Sequence, residues 1–530
     1  MTHAAGPAGT RRDPPPHGGT TFDRAPLATL RHSARPPMTR PVCLLLLAAV
    51  CIATGGLAPR VAAQPRGVLA ERIQTVLADP DFESAYWGAL VVDLDTGDRL
   101  YESNAYGRFI PASNMKLFTT AAALDALGPG FRYSTRLYAD GAVQNGTLLG
   151  SLIVRGSGDP TFGSRRTADD MRDTFVQWAD SLRAAGVRRV VGPVVGDDDV
   201  FDDVGLGNGW SWDDLQYAYA APVSGLQYGE GTVEVSLTGT TDGQPARVAV
   251  RPAGYGLVLN QATTGGPSAE SYTRDLDENV WTATATVAAG TTTREDVAVV
   301  NPTDFFVATL IGVLRNEGIE VEGEAVDVDE WGARPQYGRL RRIATHVSAP
   351  LGDIVGVTNT DSNNLYAEQI LRTMGAYAYT GTQFALGSAQ AGAVAGEPFL
   401  YRIGVDPADL TVADGSGLSP VNRLTPAAIV TLLQAMHVHP DAATRRAFYN
   451  SLAVGGQSGT LERRYRGGLA RGNVHAKTGY ISGARTLSGY VTASNGHTIA
   501  FSLLCNNYGT STARVNDAQD AIVEALAGWR

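Results

Sequence analysis

The spacing of apolar residues along the chain changes several times, and each change marks an element. The stretch "GALVVDLDTGDRLYESN" (residues 88–104) predicts two short strands around a turn at Thr96–Gly97. From Ala112 to Leu127 the residues are good helix formers, with Pro111 suited to a first helical position and "GPG" at 128–130 as the stop. Leu117, Phe118, Ala121, Ala122 and Leu124 make this helix apolar on most sides, so it is expected to be buried. A β-rich middle follows in "VRRVVGPVVGDDDVF", "TVEVSLTGTTDGQPARVAVRP" and "VWTATATVAAGTTTREDVAVV", with turn signals such as Asp242–Gly243. "TDFFVATLIGVLRNEGIEVEG" then reads as a helix ending near Gly318. Beyond about residue 345 helices are predicted at "DSNNLYAEQILRTMG" and "TPAAIVTLLQAMHV". Two strands, "RTLSGYVTAS" and "HTIAFSLLCNNYG", and a final helix, "RVNDAQDAIVEALAGW", complete the chain.

The N-terminal region follows none of these patterns. Residues 1–37 are rich in Pro, Gly and His without an apolar period, as expected of a disordered stretch or a mis-assigned start. Residues 38–63 have the order of a secretory signal peptide: Arg40, an apolar run from Val42 to Ala58, and small residues up to a cleavage point after Ala63. Gly55 and Gly56 interrupt the run, which makes it short for a membrane anchor. The expectation is export to the periplasm or cell envelope, with a mature protein that is soluble or peripherally membrane-associated. Cys43 and Cys51 lie in this leader, so the mature chain keeps Cys505 alone and forms no internal disulfide. At 530 residues, two or three domains are expected. The formal charge of −10 argues against a general nucleic-acid binder.

Of the 43 basic residues only Lys116 and Lys477 are lysine; the rest are arginine. In "PASNMKLFTT", Ser113 and Lys116 are three residues apart and share a helix face. A desolvated lysine can lose its proton and take that of a serine, which arginine cannot do at any working pH. In "TDSNNLYAEQ", Asp361, Ser362 or Asn363 could cap a helix beginning around Leu365. The chemical reading of the same stretch makes Ser362 a hydroxyl relay and Asn364 an amide that contacts Lys116 and a substrate carbonyl. In "HAKTGYISG", a strand carrying Lys477, Thr478 and Gly479 offers a cation, a donor and close backbone approach, suited to an added peptide with a terminal carboxylate.

S-x-x-K, S-x-N and K-T-G in this order are the signature of penicillin-binding enzymes and serine β-lactamases. The step of 246 residues from Lys116 to Ser362 is too long for a class A β-lactamase. The chain resembles the class C penicillin-binding proteins, the D-alanyl-D-alanine carboxypeptidase/endopeptidase (penicillin-binding protein 4-like) family, which carries extra domains between the first two motifs. "RGSGDPTF", "GWSWDD", "SNNLYAEQ", "DGSGLSPVNRLTP" and "GGQSGTLERR" extend the resemblance over residues 68–530.

The resemblance implies an α/β fold: a penicillin-recognising, β-lactamase/transpeptidase-like core of antiparallel sheet flanked by helices, interrupted by a mostly β, multi-domain insertion. The core would comprise residues 68–160 and 345–530. The insertion, 161–344, would form two subdomains, about 161–230 plus 300–344 and about 231–299. The resemblance further implies that Ser113 attacks the carbonyl of the penultimate D-alanine of a peptidoglycan stem peptide and that Lys116 accepts its proton. Ser362 and Lys477 would pass that proton to the leaving D-alanine, and Asn364 would orient the substrate amide. The backbone N–H groups of Ser113 and Tyr480 would hold the oxyanion, with Thr478 and Gly479 beside it; such a donor is worth roughly 3 kcal/mol. β-Lactams are the implied covalent inhibitors, and neither metal nor organic cofactor is expected.

Two departures stand out. Tyr480 follows K-T-G where Thr is frequent. Pro420 follows "GLS" where many relatives carry a basic residue for the diaminopimelate side chain, and Arg423 is the candidate replacement. The aspartates 197–199, 202 and 203 read as a solvated loop, and Trp210 and Trp212 as packing residues. The rival functions are a serine β-lactamase, which would show an E-x-x-L-N segment if of class A, and a non-catalytic penicillin- or wall-binding protein, which would tolerate loss of Ser113 or Lys116. A Ser-His-Asp hydrolase lacks its G-x-S-x-G elbow, and His475 reads as a strand residue flanking Lys477.

Overall fold

The computed structural model describes residues 66–166, 171–266, 270–378 and 387–530. The leader expected at 38–63 and the segment before it lie outside the described residues. None of the described helices is long and apolar enough to cross a membrane.

One antiparallel sheet carries the K-T-G motif, and the helices that bear the other two motifs pack on it. Its strands run in the order Ala453–Val454, His475–Ile481, Ala484–Thr492, Thr498–Asn506, Tyr86–Asp93 and Arg99–Ser103. The first and last segments of the core therefore lie side by side, with Tyr86–Asp93 paired along its length to Asn506–Ile499. Both faces are covered, which is why Trp87 to Asp93 is buried at every residue. Ala89 and Val91 face one way, onto the N-terminal helix Arg66–Leu77 and the C-terminal helix Thr512–Ala527. Leu90 and Val92 face the other way, onto Met115–Leu127, Asn364–Ala378 and Pro426–His437. This is the α/β penicillin-recognising core expected.

The chain leaves this sheet earlier than the expected boundary at 160. Ser134–Gln144 pairs with Thr147–Arg155 on one side and with Arg341–Val347 on the other, so all three belong to a second, seven-stranded sheet. Leu137, Leu148, Leu152 and Val154 pack with Phe175, Trp178 and Phe306 of helices Asp173–Ala184 and Pro302–Asn316. The second sheet begins at Ser134 and ends at Val347. The shift follows from edge pairing: the outer edge of Ser134–Gln144 needs a partner, and the returning strand Arg341–Val347 supplies it. Between 232 and 298 lie two three-stranded sheets and a short parallel pair.

Candidate active site

Ser113 is set by local strain and two close approaches. The predicted helix from Ala112 starts as a single 3-10 turn, Ala112–Asn114, and becomes α-helical from Met115. Ala112 has φ of 45°, a left-handed conformation uncommon for a residue with a Cβ. Gly479 lies against this turn, and a Cβ there would stand 3.0 Å from Ser113 N and collide with Thr486 Oγ1. Only glycine lets the K-T-G strand come this near. Asn114, buried, fastens the two together: its Nδ2 donates to the Lys477 carbonyl at 2.9 Å, and its Oδ1 accepts from Ser488 Oγ at 2.6 Å. Thr486 Oγ1 adds a bond to the Pro111 carbonyl.

Lys116 is fully buried, with Nζ 2.9 Å from Ser113 Oγ, 2.6 Å from Asn364 Oδ1 and 2.6 Å from the Ser416 carbonyl. Burial lowers its pKa to about 7, against the opposing pull of Asp414 and Glu368. At neutral pH a substantial fraction is therefore the free amine that can take a proton from Ser113.

The second motif forms the start of helix Asn364–Ala378, one residue earlier than Leu365. Of the three capping candidates it is Asn363 that caps, its Oδ1 accepting from Tyr366 N. Ser362 has φ of 63°, a second non-glycine residue held left-handed beside the reaction centre. Among the described residues its hydroxyl makes no hydrogen bond to Ser113, Lys116 or Lys477, so the expected relay is not closed. Asn364 contacts Lys116 as expected, but one of its amide hydrogens goes to the Tyr219 carbonyl at 2.8 Å, leaving one for a substrate carbonyl.

Lys477 is buried too, and donates to its neighbour's carbonyl, Thr478 O, at 2.8 Å. Burial, with Lys116 and Arg485 nearby, pushes its pKa well down. Thr478 Oγ1 bonds Thr460 Oγ1 at 2.8 Å. His475 is the strand residue expected, stacked on Tyr449. Tyr480 is 55 % exposed, with the Arg485 guanidinium over its ring.

Three expectations are corrected. Arg423, expected free to meet a substrate, donates from Nη1 to the carbonyls of Pro420 and Asn422 in its own loop. The aspartates are not a solvated loop: Asp197 is buried against Tyr337, Asp198 accepts from Ser224 and Thr303, Asp199 pairs with Arg334 and Asp202 with Arg372. Asp203 alone of the five is exposed. Trp210 does pack, its Nε1 donating to Asp414 Oδ2 at 2.9 Å, but Trp212 is 73 % exposed and packs little. Sequence reasoning missed Asn114, Glu368, Ser416 and Tyr219. Asn114 and Glu368 stood inside the quoted motifs; a helical-wheel reading from Asn364 puts Glu368 one turn on, on the same face.

A serine held after a left-handed residue and against a buried lysine, beside a lysine-bearing sheet strand on this fold, defines a penicillin-recognising serine hydrolase. Residues 69–528 match the D-Ala-D-Ala carboxypeptidase 3 (S13) family, and the chain belongs to it. The chain is 36 % identical to the D-alanyl-D-alanine carboxypeptidase of Actinomadura sp. (strain R39), over 87 % of this chain and 85 % of that protein. It is 28 % identical to the D-alanyl-D-alanine carboxypeptidase DacB of Haemophilus influenzae, over 81 % of this chain and 87 % of that one. The crystal structure of penicillin-binding protein 4 from H. influenzae matches with a TM-score of 0.74 at 24 % identity, over 86 % of this chain and 99 % of that one. The same protein has been solved with a β-lactam bound. The chain is thus a serine-type D-alanyl-D-alanine carboxypeptidase, a hydrolase.

Proposed function

We propose that Ser113 is the nucleophile and Lys116 its general base, acting on the D-alanyl-D-alanine end of peptidoglycan stem peptides in the cell envelope. The contact that carries this reading is Lys116 Nζ at 2.9 Å from Ser113 Oγ, with the amine's pKa near 7. As the Oγ–carbon bond forms, the hydroxyl proton passes to Lys116. The carbon–nitrogen bond to the terminal D-alanine then breaks, and the proton leaves with its amine. Water hydrolyses the resulting ester and regenerates Ser113. Backbone N–H groups of Ser113 and Tyr480 hold the oxyanion, and the closeness of Gly479 to Ser113 N brings them to one side of the carbonyl. A β-lactam enters the same cycle and stops at the acyl-enzyme.

Lys477 is the cation for the substrate's terminal carboxylate. A carboxylate beside it restores the charge that burial removes. Changing Lys477→Ala is expected to raise KM for peptides ending in a free carboxylate and to leave C-terminally amidated analogues nearly unaffected. An unchanged preference for the free acid contradicts this role. With Pro420 exposed and Arg423 turned to its loop, we expect weak dependence on a charged third-residue side chain, measured by comparing diaminopimelate and ornithine stem peptides.

A further inference from the structure

Helix Asn364–Ala378 is buried at every residue from Leu365 to Ala376, yet three of its side chains on one face are polar. Asn364, Glu368 and Arg372 follow at steps of four and form a continuous stripe. Its first member touches Lys116. The second, Glu368, is 1 % exposed, and its Oε1 accepts from Gly415 N at 3.0 Å and Ser416 N at 2.7 Å, with Oε2 at 3.2 Å from Gly415 N. The carbonyl of that same Ser416 is the one 2.6 Å from Lys116 Nζ. The third, Arg372, is also buried and reaches out of the core to Asp202 at 2.7 Å and the Val204 carbonyl at 2.6 Å.

We propose that Glu368 is a positioning residue for the acylation step: it holds the 415–416 turn against the nucleophile helix and supplies the negative charge that sets how readily Lys116 gives up its proton. The turn is clamped from both sides, since Thr119 Oγ1 donates to the Gly415 carbonyl at 2.7 Å while Glu368 takes the N–H groups. A buried carboxylate that only tied down a turn would be an expensive choice, because an amide or hydroxyl accepts the same bonds without the desolvation cost. The charge has a use only where another charge feels it; Arg372 holds it from one side, and Lys116, held by the stripe's first member one turn away, is the reacting group that feels it. The surrounding ionisable groups are few: Asp414 from the 414–419 loop, Lys477 from the K-T-G strand, and Arg372 with its partner Asp202. Asp414 opposes ionisation of Glu368 and Arg372 favours it, leaving the pKa of Glu368 raised to about 7 by its burial. Lys116 and Glu368 therefore both change charge near neutral pH, and a negative Glu368 pulls the pKa of Lys116 up.

The sign is fixed. A negative Glu368 raises the pKa of Lys116; without it Lys116 is neutral at lower pH. The test is the pH profile of the second-order rate of acylation by nitrocefin, measured on the full mature chain. Glu368→Gln is expected to move the acid limb downward by on the order of one pH unit, with a fall in the plateau rate from the disturbed turn. Glu368→Asp keeps the charge and shortens the reach; it should lower the plateau and leave the limb near the parent's. A purely structural role predicts lowered plateaus in both variants and an unmoved limb, and that result overturns the proposal. If Glu368→Gln does not fold, Arg372→Gln carries the same test. Loss of the guanidinium keeps Glu368 protonated to higher pH, so the limb again moves down, and an unmoved limb refutes it. Failure of the unsubstituted chain to be acylated would instead overturn the assignment of Ser113 and Lys116, on which this inference rests.

Discussion

The two lysines stand where arginine fails for different reasons. Lys116 must lose a proton, and a guanidinium does not. Lys477 must fit a fully buried position beside Gly479, where the planar fork of arginine would need several further partners. Because the pKa of Lys116 is about 7 and its neutral form is the base, acylation is expected to rise with pH through about 7 and to fall as Lys116 becomes protonated below it. Lys116→Arg keeps the charge and removes the base. It is expected to slow acylation by at least about a hundredfold, read from the growth of the penicilloyl adduct with time. Normal acylation by that variant excludes Lys116 as the base.

Between elements, the active site depends on how near the nucleophile turn and the K-T-G strand come. Asn114, Thr486 and Gly479 make that join. Gly479→Ala is expected to slow acylation strongly while the fold survives, because its Cβ would push the strand away from Ser113. Circular dichroism and thermal melting report the fold, and a normal rate with normal melting would show the approach to be unimportant. Much at this scale was legible beforehand. The turn at Gly97, the helix through Lys116, the helix beginning at Pro302 and the closing strands and helix all follow from apolar period and stop signals. What the sequence did not reveal is pairing between distant segments. Nothing local in Ser134–Gln144 says that its partner is Arg341–Val347 rather than a core strand. Likewise the Asp197–Asp203 tract looks solvated until Tyr337, Thr303, Arg334 and Arg372 arrive from elsewhere in the chain. The three motifs were readable because each is contiguous; the clamp made by Glu368 and Ser416 joins residues 48 apart and was not.

Across the whole molecule, the segments between the first two motifs form part of the wall of the site. Tyr219 takes an amide hydrogen of Asn364, Glu230 accepts from Asn363 at 2.8 Å, Asp202 anchors Arg372, and Trp210 holds Asp414. The S-x-N motif is thus fixed from both sides. Trp210→Phe removes one charge-assisted bond to a buried carboxylate, a loss of about 1–3 kcal/mol. It is expected to lower both the melting temperature and the acylation rate; loss of stability with an unaltered rate would confine Trp210 to a packing role.

The central claim is that Ser113 becomes the acyl-enzyme, and intact-mass measurement of the mature chain after brief exposure to benzylpenicillin tests it most directly. A single persistent penicilloyl adduct that disappears in Ser113→Ala is the expected result. An adduct that survives in Ser113→Ala contradicts the account, and penicillin consumed without any lasting adduct points to a β-lactamase instead.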